Sequence, residues 1–129
     1  MLTWNLGDLF ESVADAVATR TAVVSGDVRL TYAELDQRAT RLAHVFATHG
    51  IGPGHHVALA MRNGHEYLEA MLAAFKLRAV PINVNTRYTA DEMRHLLDDA
   101  DARLVVHDAD LAGRLDEAAS DRPRIERGA

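Results

Sequence analysis

Asn85 and Arg87 stand out among the side chains of this chain that could do chemistry. They lie in the polar run Asn85-Thr86-Arg87-Tyr88, directly after the apolar, β-prone segment Val80–Val84. Open α/β sheets bind ligands at the carboxyl ends of their parallel strands. An amide and a guanidinium placed there could hydrogen-bond an anionic substrate and steer it. The competing reading pairs Arg87 with Asp91 or Glu92 at the start of the following helix.

The other candidates read as structural. Lys76 is the only lysine, and it shares a narrow polar strip with Glu66 and Glu69 on an otherwise apolar helical segment. Charged helix residues are mostly solvated, so a surface role is expected. His55 and His56 are adjacent, and neighbouring strand residues point to opposite faces, so they cannot easily share an ion. His44 and His49 are five apart, poor spacing for ligands on one helix face, and His95 and His107 have no evident partners. No metal site is expected. The absence of cysteine excludes thiolate ligands and cysteine nucleophiles. A phosphate-binding loop should follow a strand and open a helix. The glycine-rich run Gly50-Ile51-Gly52-Pro53-Gly54 instead precedes a strand, and no Ser/Thr/Gly-rich run ends in lysine. No catalytic residue is assigned from the sequence, and no cofactor is expected to bind beyond what Asn85 and Arg87 could hold.

A chain of 129 residues with 48% hydrophobic and 26% charged residues has the composition of one folded domain. Its net charge of −5 argues against nucleic acid as a partner. The amino-terminal residues Met1–Ser12 lack a basic start and carry Asp8 and Glu11, unlike a secretory signal. Arg62, Lys76 and Arg78 interrupt the longest apolar stretches, so no transmembrane segment is expected. The expected location is cytoplasmic.

The elements that would position these side chains follow from periodicity. Asp8–Thr19 reads as an amphipathic helix through Leu9, Val13, Ala16 and Val17. Ala22–Val24 and Val28–Leu30 flank a Gly-containing turn and predict a hairpin. Thr31-Tyr32-Ala33-Glu34 is a capping box, and Tyr32, Leu35, Ala39, Leu42 and Phe46 form the buried stripe of the helix it opens. Val57–Met61, Val80–Val84 and Arg103–His107 are short apolar runs at even spacing, with room for one helix between each pair, as in right-handed βαβ units. The helix His65–Ala79 is apolar nearly all round, which predicts burial on more than one side and, in so short a chain, an exposed apolar patch. Thr89-Ala90-Asp91-Glu92 is a second capping box. Asp110–Ala119 predicts a last helix, and Ser120–Ala129 a loose tail. The expected fold class is α/β: a partial doubly wound parallel sheet of about three parallel strands with flanking helices, plus a small N-terminal β-hairpin.

Leu30–Leu35 (LTYAEL) and Phe75–Thr89 (FKLRAVPINVNTRYT) resemble the opening motifs of AMP-forming acyl-CoA synthetases, the acyl-adenylate-forming enzymes. Leu59–Asn63 with His65–Phe75 is similar to the strand and buried helix of that family, and the resemblance runs from about Leu9 to about Leu111. One departure is Arg78-Ala79, where many members carry a small residue and glycine. The resemblance implies an enzyme that joins ATP to a carboxylic or fatty acid through an acyl-adenylate and passes the acyl group to CoA, with ATP, Mg and CoA as its small molecules. It also implies that the phosphate loop, the nucleotide-binding segments and the catalytic lysine belong to a part beyond Ala129. Residues 1–119 would then be a partial N-terminal subdomain of the large AMP-binding domain, inactive alone. It would form one wall near the acyl and CoA entrance, with the missing C-terminal remainder as partner or self-association through exposed apolar surface. The alternative is a stand-alone non-catalytic α/β module that binds a partner, or a receiver-like domain with Asp108 as phosphoryl acceptor. A receiver needs an acidic pair after its first strand, and Met61-Arg62-Asn63 offers none.

Overall fold

The computed structural model describes residues 5–127; Met1–Trp4, Gly128 and Ala129 lie outside them. Helix α1 (Leu6–Ala16) begins in a reciprocal cap: Asn5 Oδ1 accepts from Asp8 N at 3.0 Å, and Asp8 Oδ2 accepts from Asn5 N at 3.1 Å. Strands β1 (Thr21–Ser25) and β2 (Val28–Thr31) form the expected antiparallel hairpin. Helix α2 (Tyr32–Thr48) opens at the expected capping box, with Thr31 Oγ1 accepting from Glu34 N at 3.1 Å. It ends where Gly50 takes φ of 81°, letting Ile51 N donate to Phe46 O and Gly50 N to Ala47 O. That left-handed turn is open to glycine without the Cβ clash other residues meet.

Four parallel strands then form one sheet in the order β4-β3-β5-β6: β3 (His56–Ala60), β4 (Val80–Asn83), β5 (Ala102–His107) and β6 (Arg124–Glu126). Helices α3 (His65–Lys76), α4 (Ala90–Asp99) and α5 (Ala112–Ala118) connect them, a single 3-10 turn at Ala109–Leu111 preceding α5. Alternation along the strands divides the core in two. Val57, Leu59, Met61, Leu104 and Val106 meet α2 and α3 on one face. Ala58, Ala60 and Val105 meet Met93 and Leu97 of α4 and Leu115 of α5 on the other. Both faces are covered, which explains why the strands read as continuous apolar runs rather than alternating ones.

Three expectations change. The sheet has a fourth strand, because the expected loose tail contributes β6. Ile125 is the only apolar residue of β6, and polar side chains help to hold the strand. Arg122 donates to Ala102 O at 2.7 Å, and Arg124 reaches Asp116 at 2.7 Å. The α3 patch is also absent, since no residue of α3 is exposed. Ala70, Ala73 and Ala74 pack toward the sheet, while Leu72, Leu68 and Phe75 pack with Leu30, Leu35 and Phe10. The amino-terminal helices and hairpin supply the second cover of α3. The large exposed apolar side chains lie elsewhere, including Leu6 (57%) and Leu9 (55%) on α1. Lastly, α3 stops at Lys76, three residues early, because Arg78 adopts φ of 62° and turns the chain. Ala79 N donates to Ala74 O and Arg78 N to Phe75 O, a left-handed cap built without glycine.

Candidate functional site

The carboxyl ends of the four parallel strands define the edge where a ligand would be expected. The chain leaves β3 for β4 on one side and later returns to place β5 on the other. The crevice between the ends of β3 and β5 is therefore the topological switch point of the sheet. Protein side chains fill it. Asp108, 8% exposed, accepts from Arg62 N at 3.0 Å and from Arg62 Nη1 at 3.1 Å. Arg127, which follows β6, brings its Nε to 2.7 Å from Asp108 Oδ1, an ion contact without the alignment of a hydrogen bond. Its Nη2 donates to Arg62 O.

Arg62 also forms a two-pronged pair with Asp110, Nη1 to Oδ1 and Nη2 to Oδ2, each at 2.9 Å. The Asp110 hydrogen bonds and charge hold the Arg62 guanidinium above its ordinary value, and Arg62 in turn holds the Asp110 carboxyl below its own. A carboxylate enclosed by two guanidiniums and a backbone N–H is not an open phosphoryl acceptor, so the geometry does not support a receiver-like role for Asp108.

Asn85 and Arg87 stand on the next part of the edge, beyond β4, and both are exposed. Asn85 Oδ1 accepts from Arg87 N at 2.9 Å, so the amide shapes the turn. The expected partners of Arg87 are engaged elsewhere. Asp91 pairs with Arg94 at 2.9 Å, and Glu92 caps α4 by accepting from Thr89 N at 3.1 Å. Among the described residues no carboxylate pairs with Arg87, and its guanidinium faces solvent at the strand end. Arg114 of α5 holds the loop from beneath, donating to Thr86 O at 2.9 Å and Tyr88 O at 2.7 Å. Tyr67 of α3 fastens the end of β4 by donating to Asn83 Oδ1 at 2.8 Å, and burial pushes its phenol above the ordinary range.

Lys76 is not the solvated residue expected. Its side chain is 9% exposed and lies 2.7 Å from both Glu11 of α1 and Asp36 of α2. Burial opposes its charge, but hydrogen bonds to Asp36 and Glu11 outweigh that and hold the ammonium above its ordinary value. Glu69 is likewise buried, meeting Arg38 of α2 at 2.9 Å and the ring of His65. The polar strip of α3 is thus an ionic seam with its neighbours.

The histidines do not converge. His55 accepts from Gly52 N at 2.9 Å, His56 donates to Ala100 O, and His107 bonds Asp108 O at 2.8 Å. His44, His49 and His95 are exposed. Among the described residues no group of three or more histidines and carboxylates could hold a metal ion. The glycine run Gly50–Gly54 enters β3 at its amino end, the edge opposite the candidate site.

The sequence places Asn85 and Arg87 at this edge and gives no sign of Arg62, Arg114 or Arg127 there. These three act on groups far away along the chain, and no local pattern marks an arginine for such a role.

Comparison with known proteins supplies the family. The sequence model of the AMP-binding enzyme family matches residues 10–128. The chain is 41% identical over 122 residues to the medium/long-chain-fatty-acid–CoA/3-oxocholest-4-en-26-oate–CoA ligase of Mycobacterium marinum, covering 95% of this chain and 22% of that enzyme. It is 37% identical over 122 residues to the 3-oxocholest-4-en-26-oate–CoA ligase of Rhodococcus rhodochrous, again 95% of this chain and 22% of the relative. This chain thus spans about a fifth of the length of the curated relatives it matches. Among solved structures, the N-terminal domain of FACL13 from Mycobacterium tuberculosis superposes with a TM-score of 0.88 at 33% identity, over 97% of this chain and 34% of that one. A benzoate CoA ligase from Burkholderia xenovorans superposes with a TM-score of 0.86 at 25% identity, over 95% of this chain and 25% of that one. With a family match along nearly its whole length and a fold shared with acyl-CoA ligases, the chain belongs to the AMP-binding enzyme family.

Proposed function

We propose that this chain is the amino-terminal part of an AMP-forming acyl-CoA ligase acting on a carboxylic acid of the fatty-acid class, and that alone it is catalytically inactive. One observation carries the reading: the chain aligns almost completely with acyl-CoA ligases yet with only 22% of their length. Adenylation requires phosphate charge to be neutralised by backbone donors, a cation and a metal. The residues present do not fit that task. Arg62, Asp108 and Arg127 occupy the switch-point crevice, and the single lysine is locked between two carboxylates. ATP, Mg and CoA would be bound by the rest of the enzyme, and no chemical step is assigned to residues of this chain.

What this chain supplies in that reading is a rigid scaffold and one wall beside the acyl and CoA entrance. Arg87, exposed and held on a braced loop, is the residue that would steer an anionic group there. The setting we propose is cytoplasmic, where ATP and CoA are available; among the described residues no helix is long and apolar enough to cross a membrane.

The test is a chimaera in which this chain replaces the matched 122 residues of the M. marinum ligase. It is expected to form acyl-CoA from a medium-chain fatty acid, ATP, Mg and CoA. Arg87→Ala in the chimaera is expected to raise KM for the acid or CoA several-fold with kcat little changed. A folded chimaera with no ligase activity would reject the reading, and unaltered saturation kinetics would remove Arg87 from it.

A further inference from the structure

Helix α1 carries apolar side chains on its outer side. Leu6, Leu9 and Val13 are exposed, and so is Ala16. Their spacing is three, four and three, so they form one narrow stripe, the pattern of the a and d positions in a coiled-coil seam. A single exposed leucine is ordinary, but a contiguous apolar stripe marks an interaction surface. The stripe is not the side that α1 uses to hold its own fold. Gly7 and Ala14 are the buried residues of α1, and Phe10 packs with Leu30 and Leu35.

Charge and size along the stripe point to its occupant. Asp8, Glu11 and Asp15 lie at c and f positions, off the seam, and Asp8 and Glu11 already pair with Arg78 and Lys76. Phe10 and Ser12, which flank the seam, are uncharged. Nothing beside the stripe therefore selects an oppositely charged chain or repels an identical one. Turned antiparallel, two copies of the stripe complement each other. Leu6 meets Ala16 of the second copy and Leu9 meets Val13, so a larger side chain opposes a smaller one in every layer. The antiparallel arrangement also sets the amino end of each helix beside the carboxyl end of the other, as the helix dipoles favour.

We propose that α1 is the docking surface for a second copy of this chain, the two molecules meeting through an antiparallel pair of α1 helices about a two-fold axis. The helix is already held in place. Asn5 donates to Phe75 O at 2.7 Å, Arg78 lies 2.8 Å from Asp8, and Lys76 lies 2.7 Å from Glu11. Pairing therefore carries no cost of forming the helix. An 11-residue helix is about 16 Å long. The contact is smaller than the roughly 1,200 Å2 of a stable complex, so the dimer is weak, with a Kd on the order of 100 µM. The proposal does not depend on the functional reading above.

The experiment is sedimentation equilibrium of this chain from about 10 µM to about 1 mM, a range that brackets so small an interface. The average mass is expected to rise from the monomer's 14.2 kDa toward twice that value. Leu9→Asp is expected to weaken the association at least tenfold, while Val45→Asp, at an exposed apolar residue of α2, leaves it unchanged. Thermal melts check that each variant folds. The chain has no cysteine, so Leu9→Cys and Val13→Cys report the geometry by diamide oxidation, and they serve where Leu9→Asp does not fold. A mixture of the two cysteine variants is expected to cross-link several-fold faster than either variant with itself, because only residues 9 and 13 meet across the axis. A mass that stays at 14.2 kDa throughout, a folded Leu9→Asp that associates like wild type, or self-cross-linking as fast as the mixed reaction overturns the proposal. So does a chimaera that stays monomeric over the same range, which would give the stripe to the rest of the ligase.

Discussion

Lys76 shows how a single residue can carry more than its sequence context suggests. A lysine on a polar strip between glutamates reads as solvent-facing, yet here it joins three helices by meeting Glu11 and Asp36 at 2.7 Å each. Removing one partner of a sheltered pair leaves the others uncompensated. Because Glu11 and Asp36 remain partly exposed, Lys76→Met is expected to cost about 1–3 kcal/mol at pH 8, below the figure for a fully buried pair. The ammonium is held above its ordinary value of 10.5. Its stabilisation is therefore fully present below that value and is lost as pH rises through the higher folded-state value. Denaturant unfolding of wild type and variant from pH 8 to pH 11.5 should show their difference shrinking toward the alkaline end. A constant difference across that range would assign the effect to packing of the lysine stem instead. Arg78 is a second case: a non-glycine residue at φ of 62° sits in strained territory, and its guanidinium lies 2.8 Å from Asp8. The departure from the family motif at Arg78-Ala79 thus coincides with a tie between α3 and α1.

At the scale of elements, α1 and α3 meet so closely that a side chain would not fit. A Cβ on Gly7 would lie 2.9 Å from both the carbonyl carbon and the oxygen of Phe75, and backbone cannot move aside as a flexible side chain can. Asn5 fixes the approach by donating to Phe75 O at 2.7 Å. Gly7→Ala is expected to destabilise the fold by about 1–3 kcal/mol through overpacking, measured by denaturant unfolding. A neutral effect would mean α1 is free to shift. This requirement cannot be seen in the sequence, where Gly7 is one residue near the start of a helix. Local grammar was legible: both predicted capping boxes form, at Thr31–Glu34 and Thr89–Glu92, and the runs at Val57, Val80 and Arg103 become strands β3, β4 and β5. Long-range arginine ties were not. Arg62 reaches Asp110, Arg114 reaches Thr86 and Arg127 reaches Asp108, and such pairs have no periodicity to betray them. The same blindness hid β6, which has one apolar residue and is held by its polar neighbours. Of the candidate site, the position of Asn85 and Arg87 at a strand end was legible, because strand and loop are adjacent in sequence. The plug of Arg62, Asp108 and Arg127 was not, because it is assembled from three strand ends.

For the molecule as a whole, the sheet has the layered form of an α/β domain with helices on both faces. The switch-point crevice is closed by the chain's own ion pairs, the glycine-rich turn lies at the opposite edge, and the only lysine is held between Glu11 and Asp36. The proposed role is a scaffold that leaves nucleotide chemistry to other segments. The most direct measurement is ATP–pyrophosphate exchange by the purified chain with Mg and a panel of medium- and long-chain fatty acids, run beside the active chimaera. The account predicts exchange by the chimaera and none above buffer by the chain alone; acid-dependent exchange by the chain alone would contradict it.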